Sequence, residues 1–242
     1  MADSETVLLI DAGNTHIKIC YVQNGVIQTT NRIPNNEDNI NSSLLPYGTI
    51  PKVLSSVLDQ KSTDELAGQL SNCLLITSKT PLPITLDYET PETLGIDRIC
   101  NACAMWRLSK TKVAISIDIG TCIKFDVLEG NMYRGGSISP GIELRYRSMH
   151  EFTGRLPLVD QRDKIQLTGK SSVQSIHSGV INGIQSEING FIANYRERYS
   201  DLTFFITGGD ANYFDFEGKS DIFVAENLTL EGMYTIYSFN AK

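Results

Sequence analysis

The chain has 242 residues, 41% of them apolar, enough to bury a sizeable core in one large domain or two small ones. Its 21 Lys and Arg stand against 28 Asp and Glu, a formal charge of −7. That sign argues against a nucleic-acid partner, since phosphate backbones are bound by clustered cations, while a local basic pocket for a small anion remains compatible with it.

The opening MADSETVLLIDAG offers only Val7 to Ile10 as consecutive apolar residues before Asp11, and no run elsewhere approaches a membrane span. The expected compartment is the cytoplasm, with no membrane partner. Val7–Ile10 and Ile17–Val22 read as strands. Gln23-Asn24-Gly25 reads as a hairpin turn, because Asn-Gly accepts positive φ at both central positions, and Val26–Ile33 follows as a third strand. The polar stretch Pro34 to Ser43 leads to a short helix or loop. Lys52–Leu58 and Cys73–Thr77 are compact apolar runs suited to buried parallel strands. Between them, Ser62 to Leu70 is predicted as a helix capped at Ser62, with Glu65 completing a capping box. The stretch TPLPITLDYETPETLGIDR carries three prolines and reads as a connector before a helix from about Asp97 to Ser109. On that helix Ile96, Ile99, Cys100 and Cys103 share a face. The CxxC therefore reads as buried helix-face cysteines; a zinc site would want further ligands and a redox motif a preceding strand. Five scattered cysteines do not read as a disulfide framework.

The second half restarts the plan. Val113–Asp118, Ile123–Leu128 and Met132–Ile138 are predicted strands with a turn at Glu129-Gly130-Asn131, and Pro140-Gly141 opens a helix. Residues 172–197 form the longest helical pattern, with Val173, Ile176, Val180, Ile184, Ile188 and Phe191 on one face. Gly179 and Gly183 on that helix each cost about 1 kcal/mol relative to Ala and suggest close approach by another backbone. Phe204–Thr207 ends in Gly208-Gly209, and a capped helix begins after Asn227.

The restart extends to single residues. In DAGNTHIK and DIGTCIK, Asp11 matches Asp118 and Gly13 matches Gly120. With Asn14 skipped, Thr15 matches Thr121 and Lys18 matches Lys124. The expected organisation is two similar α/β domains, 1–110 and 111–242, with the last helix able to pack back on the first and the facing turns forming one cleft. In each turn the Gly lets backbone approach a ligand, while free N–H groups and a Thr or Asn side chain can receive phosphate oxygens. The Asp cannot bind phosphate directly and reads as a cation ligand or water holder beside it.

Taken together, DAGNTHIK, GIDR, DIGT, GGSISPGIEL, GKSSVQSIHSG and TGGDA occur in the order found in type III pantothenate kinases, and the resemblance runs from about residue 7 to LTLEGM. That family belongs to the acetate and sugar kinase/Hsp70/actin superfamily. The resemblance implies two ribonuclease H-like domains with mixed sheets flanked by helices, clamping ATP in a cleft between them. It implies ATP contacts from Asp11, Ala12, Gly13, Asn14, Thr15, His16, Ile17 and Lys18, from Thr121, and from the adenosine segment Thr207, Gly208 and Gly209. Asp118 is the implied ligand of a monovalent cation, potassium or ammonium, and magnesium accompanies ATP. Tyr88, Gly95, Ile96, Asp97, Arg98 and Ser172 are the implied pantothenate contacts, with Asp97 as catalytic proton acceptor. A homodimer is implied as well.

The residues of GIDR suit such a substrate. Arg98 offers a fork of donors that fits a carboxylate, and Asp97 can hold a primary hydroxyl in line with the γ-phosphate. Phosphoryl transfer is loose and the proton can leave late, so a carboxylate need not be a strong base. From the residues alone, a helix cap and a surface charge remain the alternative. Two departures from the family pattern stand out: Ser172 replaces the usual Thr, and Cys122-Ile123-Lys124 replaces small or hydroxyl residues. Strand alternation puts Cys122 and Lys124 on one face and Ile123 and Phe125 on the other, leaving open which meets the ligand. The rival readings are a non-catalytic Baf-like accessory protein of the same fold and a phosphatase acting on polyphosphate. Retention of Asp97, Arg98 and Asp118 speaks against the first, and the charge of −7 against the second.

Overall fold

The computed structural model describes residues 6–35, 48–216 and 220–241; most of the stretch Pro34 to Ser43 lies outside them. The chain forms two compact units, Met1–Leu108 with Asn131–Tyr133 and Asn227–Lys242, and Ser109–Gly130 with Arg134–Glu226.

The first unit opens with β1 (Thr6–Ala12), β2 (His16–Gln23) and β3 (Val26–Pro34), joined as antiparallel neighbours. Asn24 and Gly25 take φ of 51° and 78°, the left-handed pair that an Asn-Gly hairpin turn requires. β4 (Lys52–Ser56) then pairs parallel with β1, and β5 (Cys73–Leu75) parallel with β4, giving the order β3-β2-β1-β4-β5. Alternation along these strands makes two faces. Leu8, Ile10, Ala12, Ile17, Ile19 and Leu54 form a core with Leu66 of α1 (Gln60–Gly68). The cap of α1 differs from expectation. Asp59, not Ser62, is the N-cap: its carboxylate accepts from the Ser62 N–H at 3.0 Å and the Ser62 hydroxyl at 2.7 Å. An Asp that satisfies two donors of the first turn starts the helix earlier than Ser62 would.

The other face of this sheet, with Asp11 and Ser55 in register, is covered by α2 (Ile96–Leu108) and α5 (Leu228–Asn240). These two helices pack closely. Thr229 donates to the Asn101 side chain at 2.9 Å, and Arg107 pairs with Glu231. A Cβ on Gly232 would collide with the Cys100 carbonyl. Gly232→Ala must therefore push the helices apart, an overpacking change of about 1–3 kcal/mol. In a thermal melt that should lower Tm by about 2–4 °C per kcal/mol; an unchanged Tm would refute the contact. The N-terminus of α5 sits where expected, but Asn227 makes no side-chain cap hydrogen bond.

The second unit repeats the sheet. β7 (Val113–Ile119) and β8 (Cys122–Glu129) are antiparallel, and β8 runs into β9 (Met132–Pro140) through Gly130 at φ 61°. β10 (Leu202–Thr207) lies parallel to β7, and β11 (Ile222–Val224) parallel to β10. The order β9-β8-β7-β10-β11 matches that of the first sheet, and a sixth strand lies beyond β9. Ile115, Ile117, Ile119, Ile123, Phe125, Phe204 and Ile206 face Ile142 and Tyr146 of α3 (Ile142–Glu151) and Ile176, Val180, Ile184 and Ile188 of α4 (Ser172–Arg198). Val173, expected on this apolar face, is instead 37% exposed at the first turn of α4. Gly179 and Gly183 have nothing within 4 Å of a Cβ position, so the close approach expected there is not made by the described residues.

The proline-rich connector contributes one short strand, β6 (Thr85–Leu86), which pairs parallel with Met132 and Tyr133 within the first unit.

Candidate active site

The first repeated turn joins β1 to β2. Its Gly13 N–H donates to the His16 carbonyl at 3.0 Å, closing a tight loop with Asn14 and Thr15 exposed at its tip. Asn35, which the sequence did not single out, fastens the loop from outside. Its side-chain amide donates to the Gly13 carbonyl at 3.0 Å and its backbone N–H to the Thr15 carbonyl at 3.1 Å. Arg32 donates to His16 Nδ1 at 3.1 Å; partial burial and the nearby guanidinium lower the His16 pKa, which keeps the ring neutral as an acceptor. Asp11 and Lys18 are cross-strand partners, so both side chains leave the same face of the sheet.

Near that face begins α2, and its first turn holds GIDR. The Asp97 carboxylate folds back to accept from the Arg98 N–H at 2.9 Å. A Cβ on Gly95 would lie 2.6 Å from Asp97 Oδ1, so the glycine leaves room for that carboxylate. Arg98 is only 4% exposed, with its guanidinium 6.0 Å from the centre of the Tyr133 ring. Tyr133 in turn lies 5.9 Å from the Tyr88 ring. The β6–β9 pairing sets this group: the Asp87 N–H donates to the Tyr133 carbonyl at 3.0 Å and so presents Tyr88 beside it. The first unit thus brings Tyr88, Gly95, Asp97 and Arg98 together. Tyr133 is the member that sequence reasoning missed. A buried tyrosine at the start of a strand carries no local signal of its own.

Cys100 lies one turn beyond Asp97. Its thiol is pushed well above the usual range, first by complete burial, then by Cys103 and by the carboxylates of Asp11 and Asp97. Burial likewise pushes Cys103 up to about 12. Both lie buried on α2, as the shared helix face implied. Cys20, Cys100 and Cys103 are buried and Cys73 and Cys122 are half-buried. Native protein should release colour from Ellman's reagent for no more than the latter two. Rapid labelling of all five without denaturant would contradict the burial.

In the second unit, the turn between β7 and β8 is gripped from two sides. The Gly120 N–H donates to the Cys122 carbonyl at 3.1 Å, and the Gly141 N–H donates to the Thr121 carbonyl at 3.0 Å. A Cβ on Gly141 would collide with the Gly120 and Thr121 carbonyls. Opposite, Gly208 takes φ 100° with no room for a side chain against the Ile119 backbone, and the Asp210 N–H donates to the Ile119 carbonyl at 2.9 Å. The Thr207-Gly208-Gly209 segment is thereby seated beside Gly120 and Thr121. Thr207 and Asp118 are register partners on neighbouring parallel strands. Ile123 and Phe125 enter the helix-covered core, and Cys122 and Lys124 share the face of Asp118. Lys124 Nζ lies 2.8 Å from Asp118 Oδ2. Ser172, the remaining expected substrate contact, belongs to the second unit and stands exposed at the first turn of α4, next to its N-cap Ser171.

Two sheets that share a five-strand order, each with an Asp-x-Gly turn leaving its first strand, define the chain as an α/β protein with the two-unit, actin-like fold. Solved structures agree on that fold. A Campylobacter jejuni protein assigned to the Baf family of transcriptional activators superposes with TM-score 0.65 at 18% identity, over 97% of this chain and 98% of that one. A component of (R)-2-hydroxyglutaryl-CoA dehydratase from Acidaminococcus fermentans gives 0.53 at 12% identity, over 99% and 100%. The sequence is more specific. A family model described as type III pantothenate kinase matches residues 7–194. Type III pantothenate kinases of Christiangramia forsetii and Cytophaga hutchinsonii are 39% and 37% identical, each over 96% of this chain and 98% and 99% of their own lengths. The chain belongs to the type III pantothenate kinase family.

Proposed function

We propose that this chain transfers the γ-phosphoryl group of ATP to the primary hydroxyl of pantothenate, giving 4'-phosphopantothenate in the first step of coenzyme A biosynthesis. The observation that carries the reading is the first turn of α2. There a carboxylate and a buried guanidinium occupy consecutive positions, Asp97 and Arg98, in a chain of this family.

Pantothenate has two polar ends that this pair suits. The Arg98 fork takes the substrate carboxylate through paired, charge-assisted hydrogen bonds, and the ring of Tyr133 beside it limits how the guanidinium can turn. Asp97 accepts the hydrogen bond of the primary hydroxyl, aligns its oxygen for attack and takes the proton late. Tyr88, held beside Tyr133, lines the same group, and Ser172 offers a hydroxyl to the substrate in the place where the family usually has Thr. Phosphate oxygens are received by the Asp11–Lys18 turn in the first unit. In the second they are received by Gly120 and Thr121, and Thr207-Gly208-Gly209 contacts the adenosine. Magnesium bound with ATP supplies charge neutralisation on the transferring group. Of the described residues, no helix is long and apolar enough to cross a membrane. A cytoplasmic homodimer with no nucleic-acid partner completes the reading.

Purified protein given pantothenate and MgATP should release ADP in a coupled assay and form a phosphorylated product of matching mass. ADP release that is indifferent to pantothenate would overturn the substrate assignment.

A further inference from the structure

The hairpin of β7 and β8 has one apolar face, packed on α3 and α4, and one polar face, on which Ser116, Asp118, Lys124 and Asp126 alternate with Thr207 alongside. Asp118 and Lys124 are direct cross-strand partners in the antiparallel register. The ammonium of Lys124 reaches back to the Asp118 carboxylate at 2.8 Å, and the two side chains are only 17% and 13% exposed. A pair so placed is little screened by water or salt.

Asp118 is also the carboxylate to which the family resemblance assigns a monovalent cation. The residues present do not fit that ion. Its carboxylate already holds a cation at hydrogen-bond distance, and a second positive charge on the same group would be repelled by the first. Among the described residues no group of three or more His, Cys, Asp or Glu is placed to hold a metal ion. What Lys124 brings instead is chemically close to one of the two ions in question. A lysine ammonium carries the charge of an ammonium ion and N–H donors of the same kind, on a tether.

We propose that Lys124 is the resident cation of the second phosphate turn, and that this chain binds nucleotide and turns over without potassium or ammonium in solution. The inference rests on the kinase reading above. The tether explains why position 124 departs from small or hydroxyl residues: a short side chain leaves space for a free ion at Asp118, and a lysine fills it. The ion then need not be recruited at each catalytic cycle.

The experiment compares chloride salts of potassium, ammonium, sodium and tetramethylammonium at fixed ionic strength. It has two readouts, pantothenate-dependent ADP release and the Kd of a non-hydrolysable ATP analogue with magnesium by calorimetry. The parent protein should give the same rate and the same Kd in all four. Lys124→Thr should lose about 10- to 150-fold in nucleotide affinity and in rate in tetramethylammonium, as expected for a lost charge-assisted hydrogen bond, and recover in potassium or ammonium. A parent whose affinity rises tenfold or more on adding potassium overturns the inference. So does a folded Lys124→Thr variant that is as cation-independent as the parent. Should the variant not fold, the parent series decides alone. If the parent binds nucleotide equally in every salt yet never phosphorylates pantothenate, the substrate reading fails and the Lys124 inference stands.

Discussion

Asp97→Asn should lower turnover about 100-fold or more, within the range of positioned general-base effects, while leaving nucleotide affinity and Tm close to the parent values. The expectation follows from the local geometry. Asn is isosteric with Asp and keeps an oxygen to accept the Arg98 N–H, so the first turn of α2 and the space above Gly95 are preserved. What disappears is the negative charge proposed to take the substrate proton. The loss should fall on kcat, with pantothenate KM little changed, because the hydroxyl can still be held by hydrogen bonding. Steady-state kinetics with pantothenate varied at saturating MgATP separates the two. Parental turnover by Asp97→Asn would remove Asp97 from the proton path.

Arg98→Lys should act on the other end of the substrate. It keeps the charge but loses the planar fork and the stacking over Tyr133, so it is not a conservative change at this position. Loss of one charge-assisted hydrogen bond costs about 1.5–3 kcal/mol, equivalent to about a 10- to 150-fold rise in pantothenate KM. ATP KM should barely move. Pantothenol, with an alcohol in place of the carboxylate, is the control: the parent should use it less well, and the variant should lose little more on it. Because Arg98 is buried, a thermal melt should accompany the kinetics. A rise in ATP KM with pantothenate KM unchanged would place Arg98 among the phosphate contacts instead.

The strands and long helices were legible in the sequence because their apolar periods are local. β1, β2, β7 and β8 are compact apolar runs whose alternate residues enter the core of their own unit, and the Asn24-Gly25 turn announces itself by the backbone angles it needs. The duplication was legible too, down to the Asp-Lys partnership repeated across both hairpins. The information that stayed hidden depends on which segments meet. Nothing local distinguishes Gly179 from Gly232, yet only the second lies against another helix. Tyr133 reaches Arg98 through a two-residue strand pairing that no periodicity could specify. Asn35 fastens the first repeated turn from the far end of β3. The face of Lys124 could be reduced to two choices by alternation, but choosing between them needed the position of α4. The distant fold match to a Baf-family protein shares architecture alone and gives no support to an accessory role.

The pairing of α2 with α5 has a consequence for how the protein is made. Residues 96–108 leave the ribosome long before residues 228–240 are synthesised, at about 5–20 residues per second. By the end of that interval the second unit has all its own segments, whereas the first still lacks the helix that lies along the Cys100 backbone. Order of synthesis and order of completion are therefore inverted. The unit that carries Asp97 and Arg98 is begun first and closed last, so in a nascent chain α2 remains without its packing partner until α5 emerges and docks.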